Sequence, residues 1–478
     1  MKSLIGKKWV DSLDGKVIEV YNPATNELID TVPSLTKEQV DEAVAEAKKS
    51  QKAWENVPLH KRGEILMEFA RLVKRDRESL AKTLSDETGK PIKEALAEID
   101  NIQIGVPAYV EKAKHDYGNV IYRGTEAGQE NTIQYTIQQP LGVMVAIIPF
   151  NFPSDIFINK IPPALIMGNS CILKPASVNP LTLTKYVELL KEAGIPDGVI
   201  QVVHGSGGVV GTALTSNPGV AIVSLTGSTE AGIDAAQRVV EHCGHSSLEL
   251  GGNDAFIICA DGDLDLAVNE TVWGRLYNTG QVCCASKRFL VENSVKDEYI
   301  KKMVEKIKTL KVGMPSDMST DIGCLVSEEA AIEVERQVNE TVAAGAKIVI
   351  GGKRNGAFYE PTIIDNITKD MDVAKDMEIF GPVISVIGFD TIEEAIEIAN
   401  QSKFGLSGGI ITRDTSKALK VSEAMECGGF VVNGASFFRS FEQPFGGWKY
   451  SGIGNEGIMT TLREMSRTKT VILKNIMK

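Results

Sequence analysis

Cys283 sits in Asn278-Thr279-Gly280-Gln281-Val282-Cys283-Cys284, just after a glycine-containing turn, and Glu249 lies 34 residues earlier in Leu248-Glu249-Leu250-Gly251-Gly252. A thiol and a separate carboxylate are what oxidation of an aldehyde through a thioester requires. The thiol makes the covalent adduct, and the carboxylate activates the water that later cleaves it. Such chemistry transfers a hydride and therefore needs a nicotinamide cofactor. Taken singly, each residue has a plainer reading. Most cysteines are inert core residues, and a glutamate between a strand and Gly-Gly is more often a surface carboxylate. Cys283 and Cys284 are adjacent, which predicts side chains pointing in different directions. A reactive thiolate beside a second thiol also predicts reversible oxidation, with activity restored by reductant.

Three further segments could hold a cofactor or a reacting oxygen. The stretch Leu225-Thr226-Gly227-Ser228-Thr229-Glu230-Ala231-Gly232 follows a strand and opens a helix. Free N–H groups there would attract a pyrophosphate, although the spacing also suits an ordinary strand-to-helix turn. Lys174, in Leu173-Lys174-Pro175-Ala176-Ser177, stands at a strand end, where open α/β sheets bind ligands. It could bond ribose hydroxyls or a phosphate, or simply be solvated. In Pro149-Phe150-Asn151-Phe152-Pro153 two prolines stiffen the backbone around an amide. A fixed Asn151 is a good oxyanion donor, and equally a turn or capping residue.

These residues need elements to position them. Thr36-x-x-Gln39 is a capping-box pattern, and Val40, Ala43, Val44 and Ala47 repeat at helical spacing over 36–53. A second helix is predicted over roughly 60–87, and the first hundred residues read as largely helical. From 142 the pattern changes. An apolar run at 143–148 predicts a buried strand. A helix through 161–167 follows. Strands at 171–173, 200–203 and 220–225 then alternate with helices near 181–193, 208–215 and 229–241. A second block from about 253 has strand candidates at 255–259, 289–291, 347–350, 383–389, 408–412 and 430–433, with Thr391-x-x-Glu394 capping a helix. Alternation of this kind implies an α/β fold with Rossmann-like parallel sheets. Two strand-like stretches, 131–138 and 469–474, fit neither block. They read as arms that pair with each other or with another subunit.

Composition narrows the class. The 478 residues are 43% hydrophobic and 24% charged, with a formal net charge of -12 and no basic block. Nucleic acid is thereby disfavoured as a partner. No apolar run approaches the ~20 residues that span a bilayer, and the N-terminus lacks a signal-peptide core. A cytoplasmic protein without a membrane partner is expected. Seven scattered cysteines with no Cys-x-x-Cys pair, and five histidines without ligand spacing, predict neither a disulfide framework nor a metal site.

Read together, the motifs PFNFP (149–153), KPAS (174–177), TGST with Gly232, LELGG (248–252), GQVC (280–283), EIFGP (378–382) and PFGG (444–447) resemble those of the NAD(P)-dependent aldehyde dehydrogenase superfamily. They occur in that family's order along essentially the whole chain. The resemblance implies Cys283 as nucleophile, Asn151 with the Cys283 N–H as oxyanion holder, and Glu249 as the activator of water. Lys160 matches a lysine of the family's proton-relay region. The implied cofactor contacts are Ile148, Pro149, Lys174, Ser177, Gly207, Gly227, Ser228, Leu250, Glu378 and Phe380. Phe152, Tyr277, Val282, Cys284, Arg439 and Phe445 would form the substrate pocket. The family's organisation implies a cofactor-binding domain at 1–118 and 141–249, a catalytic domain at 250–448, and oligomerisation arms at 119–140 and 449–478. A homodimer or homotetramer is the implied assembly.

Departures from the family pattern refine the expectation. Phe150 stands where many members have Trp. Ser177 stands where strictly NAD-dependent members often carry Glu, whose carboxylate binds the 2′-hydroxyl and repels a 2′-phosphate. NADP should therefore be accepted and preferred, with NAD as the second cofactor. The arginines of succinic-semialdehyde dehydrogenases are replaced by Asn159 and Tyr277, and the arginine before the nucleophile of non-phosphorylating glyceraldehyde-3-phosphate dehydrogenases by Val282. Arg439 lies in the loop that lines the family's substrate mouth. It suits a carboxylate or a hydroxyl-rich group, or else pairs with Glu442 at the surface. Phe152, Tyr109, Phe437 and Phe438 wall an apolar pocket or simply pack. The expected substrate is a small hydroxylated or anionic aldehyde, lactaldehyde-like. The rival readings are a CoA-acylating relative, disfavoured by Glu249, and a non-catalytic structural protein, disfavoured by the joint presence of Cys283, Glu249 and Asn151. Esterase activity at Cys283 is expected only as a side reaction.

Overall fold

The computed structural model of the protein describes residues 1–116 and 118–475. Position 117 and the last three residues of the 449–478 arm lie outside the described residues. Among the described residues no helix is long and apolar enough to cross a membrane.

The strand Val143–Ile148 is apolar throughout and almost wholly buried. Side chains alternate across a strand. Met144, Ala146 and Ile148 enter one core, and Val143 and Val145 enter the core on the opposite face. Helices such as Leu59–Arg75, Pro153–Ile166 and Leu181–Glu192 cover the first face, and Lys37–Glu55 and Thr229–Val240 the second. A sheet covered on both faces is the setting that parallel pairing requires. The spatial order is Lys8–Val10, Ser3–Ile5, Ile200–Val202, Ser170–Pro175, Val143–Ile148, Ile222–Thr226, His245–Glu249, Gly452–Ile453. The five inner strands from Ile200–Val202 to His245–Glu249 are parallel. Growth reverses direction between Val143–Ile148 and Ile222–Thr226. Beyond their carboxyl ends the 149–153 and 226–228 loops therefore open a crevice of the kind that binds ligands.

A second sheet of seven strands runs Lys347–Ile350, Thr362–Ile367, Val383–Phe389, Ser286–Glu292, Asp254–Ile258, Ser407–Ile411, Gly429–Val432. The chain leaves the first sheet at Glu249 and enters the second at Asp254. The carboxyl end of one sheet thus leads straight to the amino end of the other. Arg288 secures that crossing from inside. Its guanidinium donates to the carbonyls of Asn253 (2.6 Å), Ala374 (3.0 Å), Ile398 (2.8 Å) and Ala399 (2.9 Å).

The α/β architecture expected from the sequence is the one observed. The two unassigned stretches pair with each other: Thr132–Pro140 and Ser466–Lys474 form an antiparallel ladder in register from Ser466↔Pro140 to Lys474↔Thr132. Other details differ. The helix expected over 60–87 is two, Leu59–Arg75 and Arg77–Thr88, broken at Asp76 (φ -99°, ψ 13°). The helix expected from 161 begins at Pro153, with proline in the first turn, where a missing N–H costs nothing. The N-terminal hundred residues also hold four strands, Ser3–Ile5, Lys8–Val10, Val17–Tyr21 and Leu28–Pro33. The first two are too short to show a period, and Ser3–Ile5 nevertheless extends the larger sheet.

Replacing Arg288 by Met should leave these carbonyls without donors. Each buried unpaired group costs about 1–3 kcal/mol, so the unfolding midpoint in scanning calorimetry should fall by several degrees. An unchanged midpoint would contradict this account of the crossing.

Candidate active site

The loop that carries Cys283 is strained. Asn278, Thr279 and Gly280 are successively left-handed, with φ of 50°, 54° and 77°. Such a conformation costs roughly 1–3 kcal/mol for a non-glycine residue and persists only where neighbours hold it. A Cβ at position 280 would lie 2.2 Å from the Gly381 carbonyl oxygen, so glycine is required there. Glu94 accepts from the Asn278 N–H at 2.8 Å, and the Asn278 amide donates to the Asn151 carbonyl at 2.9 Å and to the Gln281 carbonyl at 3.3 Å. Beyond the turn, Lys287 donates to the carbonyls of Val282 (2.8 Å) and Cys283 (2.5 Å). Cys283 is half-buried. The Cys284 thiol, and next the Lys287 ammonium, hold its pKa below the usual thiol value against the opposing effect of burial. The same contact pushes the Cys284 thiol well up. Both residues line one cavity.

Asn151 follows the Val143–Ile148 strand and precedes the helix that Pro153 starts. Its backbone carbonyl accepts from Lys90 Nζ at 2.9 Å as well as from Asn278. Its side-chain amide has no hydrogen-bond partner among the described residues and remains available. Lys90 Nζ also pairs with buried Glu98 and lies 4.1 Å from the centre of the Phe152 ring.

Glu249 ends the His245–Glu249 strand, and its Oε2 is buried without a partner among the described residues. Burial first, and the Glu456 charge second, push its pKa well above the usual carboxylate range. Glu456 behaves in the opposite way. Burial works against its charge, but Lys160 Nζ at 2.9 Å and Arg439 Nη2 at 2.8 Å more than offset that, and its pKa is lowered. Lys160 donates further to the Ser224 hydroxyl at 2.8 Å. The two buried carboxylates are thus shifted in opposite directions, Glu249 upward and Glu456 downward.

Two cavities meet at the thiol. One, of about 280 Å³, is lined by Phe152, Tyr277, Trp273 and Phe437, with Glu98, Asp155, Val282, Cys284 and Arg439. Phe152 and Tyr277 stack with ring centres 6.1 Å apart, and Phe437 lies 5.3 Å from Tyr277. The other, of about 220 Å³, is lined by Pro149, Phe150, Thr226, Gly227, Ser228, Leu250, Gly251, Glu378 and Phe380. Cys283 and Asn151 line both.

Of the ten residues expected to contact a cofactor, Pro149, Gly227, Ser228, Leu250, Glu378 and Phe380 line the second cavity, and Ile148, Lys174, Ser177 and Gly207 are not among its lining residues. Ser228 caps the helix Thr229–Val240, whose first N–H groups face the cavity end. Glu378 pairs with Lys287 at 3.1 Å and accepts from the Gly252 N–H at 3.3 Å. Phe380 packs edge-on against Phe150 at 6.0 Å. Ile148 is buried at the strand end, and Leu250 donates its N–H to the Ser451 carbonyl at 2.9 Å. Lys174 is buried, which lowers its pKa to about 8, and among the described residues its ammonium donates only to the Pro175 carbonyl, at 3.2 Å. Ser177 donates to the Gly205 carbonyl at 3.3 Å. Gly207 opens an exposed turn, and nothing lies within 4 Å of a Cβ built on it.

Other sequence-selected residues find partners that their spacing did not show. Arg439 pairs with Glu456, not with Glu442. Phe445 lies behind Arg439, its ring centre 4.1 Å from the guanidinium carbon. Tyr109 is in the core, bonded to Asn159 at 3.0 Å, and Phe438 is exposed. Lys90, Glu94, Glu98, Lys287 and Glu456 escaped the sequence reading. Nothing in their spacing marks them, because a charge buried by tertiary packing is indistinguishable in sequence from a solvated one.

Known proteins share this arrangement of chain. The aldehyde dehydrogenase family model matches residues 9–471. Lactaldehyde dehydrogenase of Methanococcus maripaludis is 37% identical over 476 residues, covering 99% of this chain and 100% of its own. The 3-sulfolactaldehyde dehydrogenase of Priestia aryabhattai is 38% identical over 460 residues, 95% of this chain and 94% of its own. Betaine aldehyde dehydrogenase of Staphylococcus aureus, solved in complex with NAD+, superposes with a TM-score of 0.95 at 33% identity, covering 100% of this chain and 95% of that one. The chain belongs to the aldehyde dehydrogenase family.

Proposed function

We propose that this aldehyde dehydrogenase oxidises a small 2-hydroxyaldehyde to the acid, with Cys283 as nucleophile and Glu249 as base. The observation that carries this reading is the position of Cys283 and Asn151 in the wall between the two cavities. The Cys283 thiolate attacks the aldehyde carbon, forming a C–S bond and an oxyanion. The free Asn151 amide and the Cys283 N–H hold that oxyanion. Glu378, Phe380 and the turn at Gly227 and Ser228, which line the second cavity, would hold a nicotinamide dinucleotide, which would accept the hydride that leaves this carbon. A thioester remains on Cys283. Glu249 then takes a proton from water, the resulting hydroxide adds to the thioester, and the C–S bond breaks to return the thiolate and release the acid. Glu456 holds the Lys160 and Arg439 side chains in place through ion pairs of 2.9 and 2.8 Å.

Lactaldehyde and 3-sulfolactaldehyde both carry a hydroxyl beside the aldehyde carbon, and a cavity of about 280 Å³ suits compounds of this size. Arg439 is already tied to Glu456, whereas Glu98 and Asp155 face the cavity. Burial first, and Glu98 second, push Asp155 up to about 7. These polar groups favour a neutral hydroxylated aldehyde over an anionic one. The absence of a carboxylate at Ser177, with Lys174 three residues away, favours NADP over NAD. Val120, Tyr122 and Ile472 are exposed on the strands and loop of the paired arms, which favours a homodimer or homotetramer.

In a spectrophotometric panel, lactaldehyde should exceed propanal and succinic semialdehyde in kcat/KM. A preference for succinic semialdehyde would contradict the substrate assignment, and activity appearing only with added CoA would contradict hydrolysis. Ser177→Glu should shift the NADP-to-NAD ratio of kcat/KM toward NAD by about tenfold or more, and an unmoved ratio would contradict the cofactor assignment. Glu249→Gln should still give a burst of one reduced cofactor per Cys283, with kcat lowered roughly 100-fold or more. Because the Glu249 pKa is raised, the base form accumulates as pH rises. Wild-type thioester cleavage should therefore quicken with pH, and this rise should vanish in Glu249→Gln.

A further inference from the structure

We propose that Lys90, Glu94 and Glu98 form a positioning bracket that sets Asn151 against Cys283. The proposal rests on the oxyanion role given to Asn151 above. All three charged residues are buried, and they fall within nine consecutive positions of the chain. Glu94 and Glu98 are four residues apart on the helix Ile92–Asp100 and so project from one face. Two buried carboxyl groups on one face are destabilising unless other groups satisfy their oxygens, and burial pushes the Glu94 pKa up to about 8. The groups that do so here belong to the two loops that carry the chemistry.

Glu94 reaches the nucleophile loop, accepting from the Asn278 N–H at 2.8 Å. Glu98 reaches the amide loop, accepting from the Ser154 N–H at 2.8 Å and the Asp155 N–H at 3.4 Å. These N–H groups open the helix that begins directly after Asn151. Lys90 closes the bracket by binding Glu98 and donating to the Asn151 carbonyl at 2.9 Å. That carbonyl also accepts from the Asn278 side chain. One short helix thus grips both loops at the point where they touch each other. It holds the left-handed turn at 278–280 in place and fixes the backbone from which the Asn151 amide projects. None of the three side chains bonds the Asn151 or Cys283 side chain, so their effect is on position.

A double-mutant cycle with Asn151→Ala separates positioning from plain stability. Rates are taken at saturating cofactor on the folded fraction isolated by size-exclusion chromatography and checked by circular dichroism, so that unfolded protein does not count. Lys90→Met should lower kcat by about tenfold or more with aldehyde KM changed no more than about twofold. Added to Asn151→Ala, it should cost no more than about a further twofold, because the donor it positions is gone. Glu98→Gln, which keeps an oxygen for the Ser154 N–H, carries the same expectation if Lys90→Met does not fold. An Asn151→Ala protein with a normal deficit, but losses that multiply in the double variant, would overturn the bracket alone. Wild-type kcat in Asn151→Ala would sink the oxyanion assignment and the bracket with it. Failure of both bracket variants to fold would assign the pair to stability and overturn positioning.

Discussion

The hydrogen bond from the Asn278 amide to the Asn151 carbonyl, 2.9 Å long, joins two loops that belong to different sheets. Everything in the catalytic reading depends on it. Asn151 stands beyond the carboxyl end of a strand in the larger sheet, and Cys283 stands before the amino end of a strand in the other. Neither loop is regular, and one contains three successive left-handed residues. A contact of about 1 kcal/mol net cannot hold such a junction by itself. Glu94, Lys90 and Arg275 meet the same loops from behind, Arg275 through the Gly280 carbonyl at 3.3 Å.

Buried charge is the second recurring constraint. Lys160, Glu249, Glu456 and Arg439 lie within one interior region, and their partners set the two carboxyl pKa values apart. Glu456 has two cations and keeps its charge. Glu249 has none in direct contact, and its exposed-to-nothing Oε2 favours the proton. Cys283 lies on the other side of this balance, because a thiol and an ammonium beside it lower its pKa.

Much of this was legible in the sequence because it depends on local chemistry. Apolar runs such as 143–148 announce strands buried on both faces, and the Gly227-Ser228 turn announces a helix start. The cysteine and the glutamate were recognisable through their motifs and their order. What escaped was tertiary in origin. Ser3–Ile5 is too short for a periodic signal, yet joins the larger sheet. The break at Asp76 lies inside an unbroken helical pattern. Lys90, Glu94, Glu98 and Glu456 read as ordinary surface charges until the fold buries them. Arg439 illustrates the same limit, since the partner nearest in sequence, Glu442, is not the partner in space.

The central claim is that the acyl group forms on Cys283 while Cys284 stays free. The most direct measurement is peptide mass spectrometry of the wild-type protein, acid-quenched during the first turnover of lactaldehyde with NADP. The account predicts a lactyl thioester on Cys283 that is absent when cofactor is withheld. An acyl group on Cys284, or a cofactor-dependent burst with no acylated cysteine, would contradict it.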